Sequence, residues 1–152
     1  MRVIAIGRFR DGPEADLFAR YGARIRPTLT LTELPDGKGA PGEIKRREGE
    51  ALLAALPNHA FVIALDLAGE MLDSPAFAAR LEGWLTLARP LRFLIGGAEG
   101  LDRPVIVRAD FVLSLGTLTW PHLLARAMLA EQIYRARAIA SGHPYHRSGR
   151  PE

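Results

Sequence analysis

Apolar residues fall in short runs separated by longer amphipathic stretches, the rhythm of strands alternating with helices. Val3–Ile6 reads as a first strand. Asp11-Gly12-Pro13-Glu14 then opens a helix with a polar cap, a proline near its first position and an early acid. That helix is expected to run to about Arg24, because Pro27 disfavours helical backbone at Arg26. Leu29–Leu34 alternates threonine and leucine, as a half-exposed strand would. Pro35–Gly42, rich in proline and glycine, predicts a mobile loop. Glu43–Leu56 predicts a helix with the apolar stripe Ile44, Ala51, Leu52 and Ala55. Ala60–Leu65 is apolar throughout and stops at Asp66, as a strand covered on both faces should. Ser74-Pro75 caps a helix continuing to Ala88, and Leu91–Ile95 is a second buried strand broken only by Arg92. A glycine-rich turn and a short helical piece lead to a last strand, Phe111–Leu113. The longest helix, Leu123–Ala140, is stopped by Ser141-Gly142 and His143-Pro144.

This order predicts an α/β fold: a mostly parallel sheet, built from right-handed crossovers, with helices on both faces. The 152 residues fit one domain spanning 1–152, with 143–152 as a C-terminal tail. Composition is that of an ordinary globular chain, which excludes collagen-like and disordered classes. The absence of cysteine excludes thiol catalysis and cysteine-ligated zinc, and suits a reducing cytoplasm. No apolar run approaches a signal peptide or a membrane span, so no membrane partner is expected. Charge is uneven. Residues 1–26 and 111–152 each carry +3 and the middle −3, and eighteen of the twenty basic residues are arginine. Basic ends suit a polyanion such as RNA, because arginine forks bind phosphate; a solvated arginine-rich surface is the alternative.

In parallel sheets ligands sit at the carboxyl ends of strands, which directs attention to the loops starting at Asp66, Gly96 and Ser114. Gly96-Gly97-Ala98-Glu99-Gly100 lets backbone approach a ligand closely, or simply makes a tight strand-to-helix turn. It matches neither the dinucleotide fingerprint nor a phosphate loop, which argues against a flavodoxin-like or nucleotide-binding domain. Ser114–His122 sets hydroxyls and unused backbone groups beside Leu118 and Trp120, a wall suited to an adenine with a thioether arm. His122 is a candidate proton donor or a turn cap. The tail, His143-Pro144-Tyr145-His146-Arg147, collects two imidazoles, a phenol and a guanidinium on a segment that proline keeps out of the helix. Arg126 and Arg135, nine residues apart, point to opposite sides of their helix, so one of them should serve a second surface such as a subunit contact.

Taken in order, Gly96-Gly97 with Glu99-Gly100, then Ser114-Leu115 with Leu118-Thr119 and Pro121-His122, then Glu131–Ala136 and His143–Arg147, closely resemble one family. It is the small SPOUT-class large-subunit rRNA methyltransferases of the H type, and the resemblance runs from Val3 to Arg147. It implies a deep trefoil knot at the C-terminal end of the α/β fold. It further implies S-adenosylmethionine as cofactor, with Leu65, Gly97, Gly116, Thr117, Leu118, Thr119, Trp120 and Pro121 in contact with it. The implied reaction methylates the ring imino nitrogen (N3) of a pseudouridine in 23S rRNA, by a cytoplasmic homodimer acting on assembled ribosomes. His143, Tyr145, His146 and Arg147 are then expected to place the base, and Arg135 to contact phosphate or substrate. Arg2, Arg8, Arg10, Arg20 and Arg24 are candidate phosphate contacts. The alternatives are a related enzyme acting on another RNA, such as tRNA, and a non-catalytic ribosome-binding factor. Ser148–Glu152 extends past the family's usual end.

Overall fold

The computed structural model describes residues 1–147. Five strands, β1 (Arg2–Ile6), β2 (Thr30–Leu34), β3 (Phe61–Met71), β4 (Leu91–Ile95) and β5 (Phe111–Ser114), form one parallel sheet in the order β2-β1-β4-β3-β5. The intervening helices are α1 (Pro13–Gly22), α2 (Pro41–Ala54), α3 (Ser74–Leu85), α4 (Arg103–Arg108) and α5 (His122–Ala140).

Successive residues of a strand point to opposite faces, and here both faces are covered. Val3, Ala5, Ile63, Phe93 and Ile95 meet Phe18 of α1, Phe77, Leu81 and Trp84 of α3, and Leu129 and Ile133 of α5. Ile4, Ile6, Val62, Ala64 and Leu94 meet Leu52 of α2 and Val105 of α4. Helices therefore alternate between faces along the chain. The inner strands β1 and β4 need mostly apolar sequence, and Val3 through Ile6 are at most 1% exposed. Strand β2 lies at an edge and is half-exposed, but without alternation: Thr30 is exposed and Leu31–Leu34 are all partly buried.

Several boundaries differ from expectation. Helix α1 ends at Gly22 and α3 at Leu85, each a little short. Asp73, whose carboxylate accepts from the Ala76 N–H at 2.8 Å, caps α3 in place of Ser74. Helix α2 starts at Pro41, and its buried face is Glu48, Gly49 and Leu52 while Ala55 is exposed. The preceding loop is tied down, since the Gly37 N–H donates to Glu48 Oε1 at 2.9 Å. The largest departure is β3, which does not stop at Asp66. Its ladder with β5 breaks after Leu65 and resumes at Glu70, both opposite Leu113. Asp66 Oδ1 accepts from the Ala68 N–H within this bulge. Gly69 presses against the β5 backbone, where a Cβ would lie 2.7 Å from the Leu113 carbonyl carbon. Among the described residues, no helix is long and apolar enough to cross a membrane.

Candidate active site

The carboxyl ends of β3, β4 and β5 open onto a cleft of about 380 Å³. Of the residues expected to contact a cofactor, Leu65, Gly97, Gly116, Thr119 and Trp120 line it. Thr117, Leu118 and Pro121 belong to the same loop but do not form its wall; Leu118 is 66% exposed, and Pro121 lends its carbonyl to the Ala125 N–H at the start of α5. Asp66 and Leu67, from the β3 bulge, complete one side, and His122 and Ala125 the floor at α5.

The glycine turn is both a tight connection and a cleft wall. Gly100 has φ +76°, a backbone state that favours glycine, and its N–H donates to the Gly97 carbonyl at 3.1 Å. A Cβ on Gly96 would lie 2.8 Å from the Gly100 carbonyl, and one on Gly97 2.7 Å from Glu48 Oε2. Glu48 is itself 4% exposed and holds the outer side of this turn, with Oε2 unpartnered.

Beneath the cleft lies a buried polar cluster around the end of β1. The Arg126 guanidinium, with no solvent exposure, donates to the Ile6 carbonyl, sits 3.3 Å from Glu33 Oε1, and stacks on Phe9 at 4.9 Å. Arg126 thus faces the interior and makes no second surface, because its acceptors are the ends of β1 and β2. Burial pushes the pKa of Arg126 down, opposed by Glu33 and Asp36. One helical turn earlier, the His122 imidazole is held below its usual range, first by burial and then by Arg126, with Asp36 and Glu48 opposing. His122 is accordingly neutral at physiological pH.

The tail residues form a second cluster on the far stretch of α5. Arg135 donates to Glu131 Oε1 from Nε at 3.1 Å and from a terminal nitrogen at 2.6 Å, which pushes its pKa up. Its other terminal nitrogen lies 3.5 Å from His146 Nδ1, and its plane stacks on Tyr145 at 4.9 Å. The Tyr145 hydroxyl donates to Glu131 Oε1 at 3.0 Å and lies 3.4 Å from the Tyr21 hydroxyl. Burial, then the Tyr21 and Glu131 contacts, push the Tyr145 phenol well above its ordinary range. His143 Nδ1 accepts from the Tyr145 N–H, shaping the turn, and Arg147 is exposed. None of these residues lines the cleft. Thirteen residues of helix separate Arg135 from His122, roughly 20 Å at 1.5 Å per residue.

A family model described as predicted SPOUT methyltransferase matches residues 1–146. The ribosomal RNA large subunit methyltransferase H of Gluconacetobacter diazotrophicus is 65% identical over 151 residues, 99% of this chain and 99% of its own. The protein of that name from Acidiphilium cryptum is 63% identical, covering 99% of this chain and 96% of its own. This chain belongs to the SPOUT methyltransferase family, in its ribosomal RNA large subunit methyltransferase H branch. A solved structure, the SpoU methyltransferase AviRb from Streptomyces viridochromogenes in complex with the cofactor AdoMet, is similar at 15% identity and TM-score 0.49, over 90% of this chain and 57% of that one.

Within this SPOUT chain, Glu48 escaped the sequence reading, while Glu131 was read only as part of a motif and Arg126 only by its angle to Arg135. Glu131 is the hub of the tail cluster, and Glu48 and Arg126 are buried ions behind the cleft. Glu48 carries a legible sign: it lies four residues from both Ile44 and Leu52, on the apolar stripe of its own helix. Arg126 stands among alanines and leucines on the buried face of α5.

Proposed function

We propose that this chain, acting as one domain over residues 1–152, transfers a methyl group from S-adenosylmethionine to N3 of a pseudouridine in large-subunit rRNA. The observation carrying this reading is the cleft at three strand ends, walled by backbone and small or apolar side chains and bordered by the exposed Trp120. Its volume is in the range of small-ligand sites, and the absent side chains of Gly96 and Gly97 leave room for close backbone approach. The residues therefore fit a bent nucleoside with an apolar arm: Leu65, Gly97 and the Gly116–Trp120 loop would hold it. Bound there, the sulfonium supplies an activated methyl group, so the chain's own task is to align the acceptor and accept its proton.

The tail is assigned that task. Tyr145, held protonated, serves as a hydrogen-bond donor rather than a base. Glu131 fixes both Tyr145 and Arg135, leaving His146 beside Arg135 as the tail's proton acceptor and Arg135, with Arg147, to meet phosphate. The roughly 20 Å between tail and cleft along α5 gives the family's homodimer a role: the tail of one copy serves the cleft of the other. The C-terminal trefoil knot, action on assembled ribosomes and a cytoplasmic location complete the reading. Calorimetry with S-adenosylmethionine, followed by mass mapping of rRNA and tRNA from a deletion strain, tests it. One-to-one binding and loss of a single methyl-pseudouridine in 23S rRNA are expected. Absence of binding would leave only a ribosome-binding factor, and a lost tRNA modification would redirect the substrate.

A further inference from the structure

At the end of the sheet opposite the cleft, positive charge accumulates without compensation. Arg2 and Arg92 are paired in register on adjacent strands β1 and β4, so their side chains leave the same face about 4.8 Å apart at the backbone. The Met1 ammonium stands beside them, and its pKa is lowered by burial and then by Arg92 and Arg2. Among the described residues, the Arg2 side chain donates only to the Thr30 hydroxyl, at 3.0 Å, and that of Arg92 only to the Leu91 carbonyl, at 3.0 Å. Among the described residues, no carboxylate forms an ion pair with Arg2, Arg92 or the ammonium. At the same end of the sheet, Arg89 just before β4 and Arg108 at the end of α4 both donate to the Ala60 carbonyl and share one carboxylate, Asp110, at 3.2 and 3.3 Å. Four arginines and an ammonium thus line this edge against a single aspartate.

Like charges set directly opposite one another on neighbouring strands oppose folding. Arg92 is moreover half-buried without an anion. An arrangement that weakens the isolated chain is expected where an external anion completes it. We propose that this amino-terminal edge of the sheet is an RNA-backbone contact, with Arg2 and Arg92 meeting successive phosphates and Arg89 and Arg108 extending the track. The inference rests on the reading of RNA as substrate and goes beyond it. RNA is then held at two places, the tail-and-cleft region and an edge a full strand length away. Planar guanidinium forks suit phosphate oxygens, which favours an RNA backbone over a diffuse acidic surface.

The test compares the full chain with Arg2→Gln and Arg2→Gln/Arg92→Gln, binding protein-free 23S rRNA and intact large subunits between 50 and 200 mM KCl. Each lost phosphate contact should flatten the slope of log K against log salt by about one, so the double variant should lose about two. Arg2 is exposed, so Arg2→Gln alone carries the test where Arg92 proves necessary for folding. An unchanged slope, with wild-type RNA binding intact, overturns this inference and leaves the proposed function standing. A flattened slope on subunits but not on protein-free rRNA overturns it in favour of an acidic protein contact. Failure of the wild-type chain to bind either RNA would remove the proposed function as well.

Discussion

The two ends of α5 handle charge in opposite ways. Around its first turn, polar groups are drawn inward: Arg126 has no exposure, Glu48 almost none, and burial with the nearby Arg126 holds the His122 pKa down. Toward its last turns, charge is displayed: Arg135, Glu131, Tyr145 and His146 form a half-exposed network at the surface. The first arrangement fixes backbone: Arg126 donates to the Ile6 carbonyl at the end of β1, and Glu48 accepts from the Gly37 N–H and lies against Gly97. The second fixes side chains on a segment that has no regular structure of its own. A rigid cleft and an adjustable tail are what a small enzyme needs when the cofactor is compact and the other substrate is a large RNA.

Perturbations should separate the two ends. The largest effect is expected from Arg126→Met, which leaves the Ile6 carbonyl without its buried donor. Urea unfolding should report a loss of about 3 kcal/mol. Less than 1 kcal/mol would show that the guanidinium is incidental. At the other end, Glu131→Ala removes the shared acceptor of Arg135 and Tyr145. Methyl transfer should fall on the order of 100-fold, the scale of losing positioned proton-transfer groups, while calorimetric affinity for S-adenosylmethionine stays unchanged. A parallel loss of cofactor affinity would erase the division between cleft and tail. Gly97→Ala should do the reverse, because its Cβ would crowd the buried Glu48 carboxylate. Cofactor affinity is expected to drop roughly tenfold, about 1.4 kcal/mol, with the tail's hydrogen bonds intact by NMR.

The smallest effect concerns pH. The His122 pKa is lowered on folding, so below about 6.5 the unfolded chain binds a proton that the folded chain resists. The stability contributed by a neutral His122 is present above that pH and is lost as pH falls through it. The decline in thermal midpoint from pH 7.5 to 5.5 should therefore be shallower in His122→Gln than in the wild type. Equal slopes would place the acid sensitivity elsewhere.

Strands β1 and β4 were legible because a strand covered on both faces must be continuously apolar, and little else is. The extension of β3 was not. Asp66 read as a stop, whereas it makes a local turn within a bulge, and Gly69 beyond it permits backbone contact with β5. A bulge keeps a strand going while breaking its pattern, so periodicity alone ends the strand too early. The cleft loops were legible from topology, since parallel strands present their ligands at the carboxyl ends. The split between cleft and tail was not, because motif order carries no information about the length of helix lying between them. Which of Arg126 and Arg135 faces the interior was not legible for a related reason. Angular spacing told that they leave the helix on opposite sides, but the acceptors of Arg126 lie 93 and 120 residues earlier in the chain.

That sequence separation has a consequence for biosynthesis. The Ile6 carbonyl, at the end of β1, gains its guanidinium donor only after residue 126 has been made, 120 positions later. The start of α5 must therefore leave the exit tunnel before the first strand is capped. A nascent chain arrested short of α5 would hold an open terminus at the end of β1.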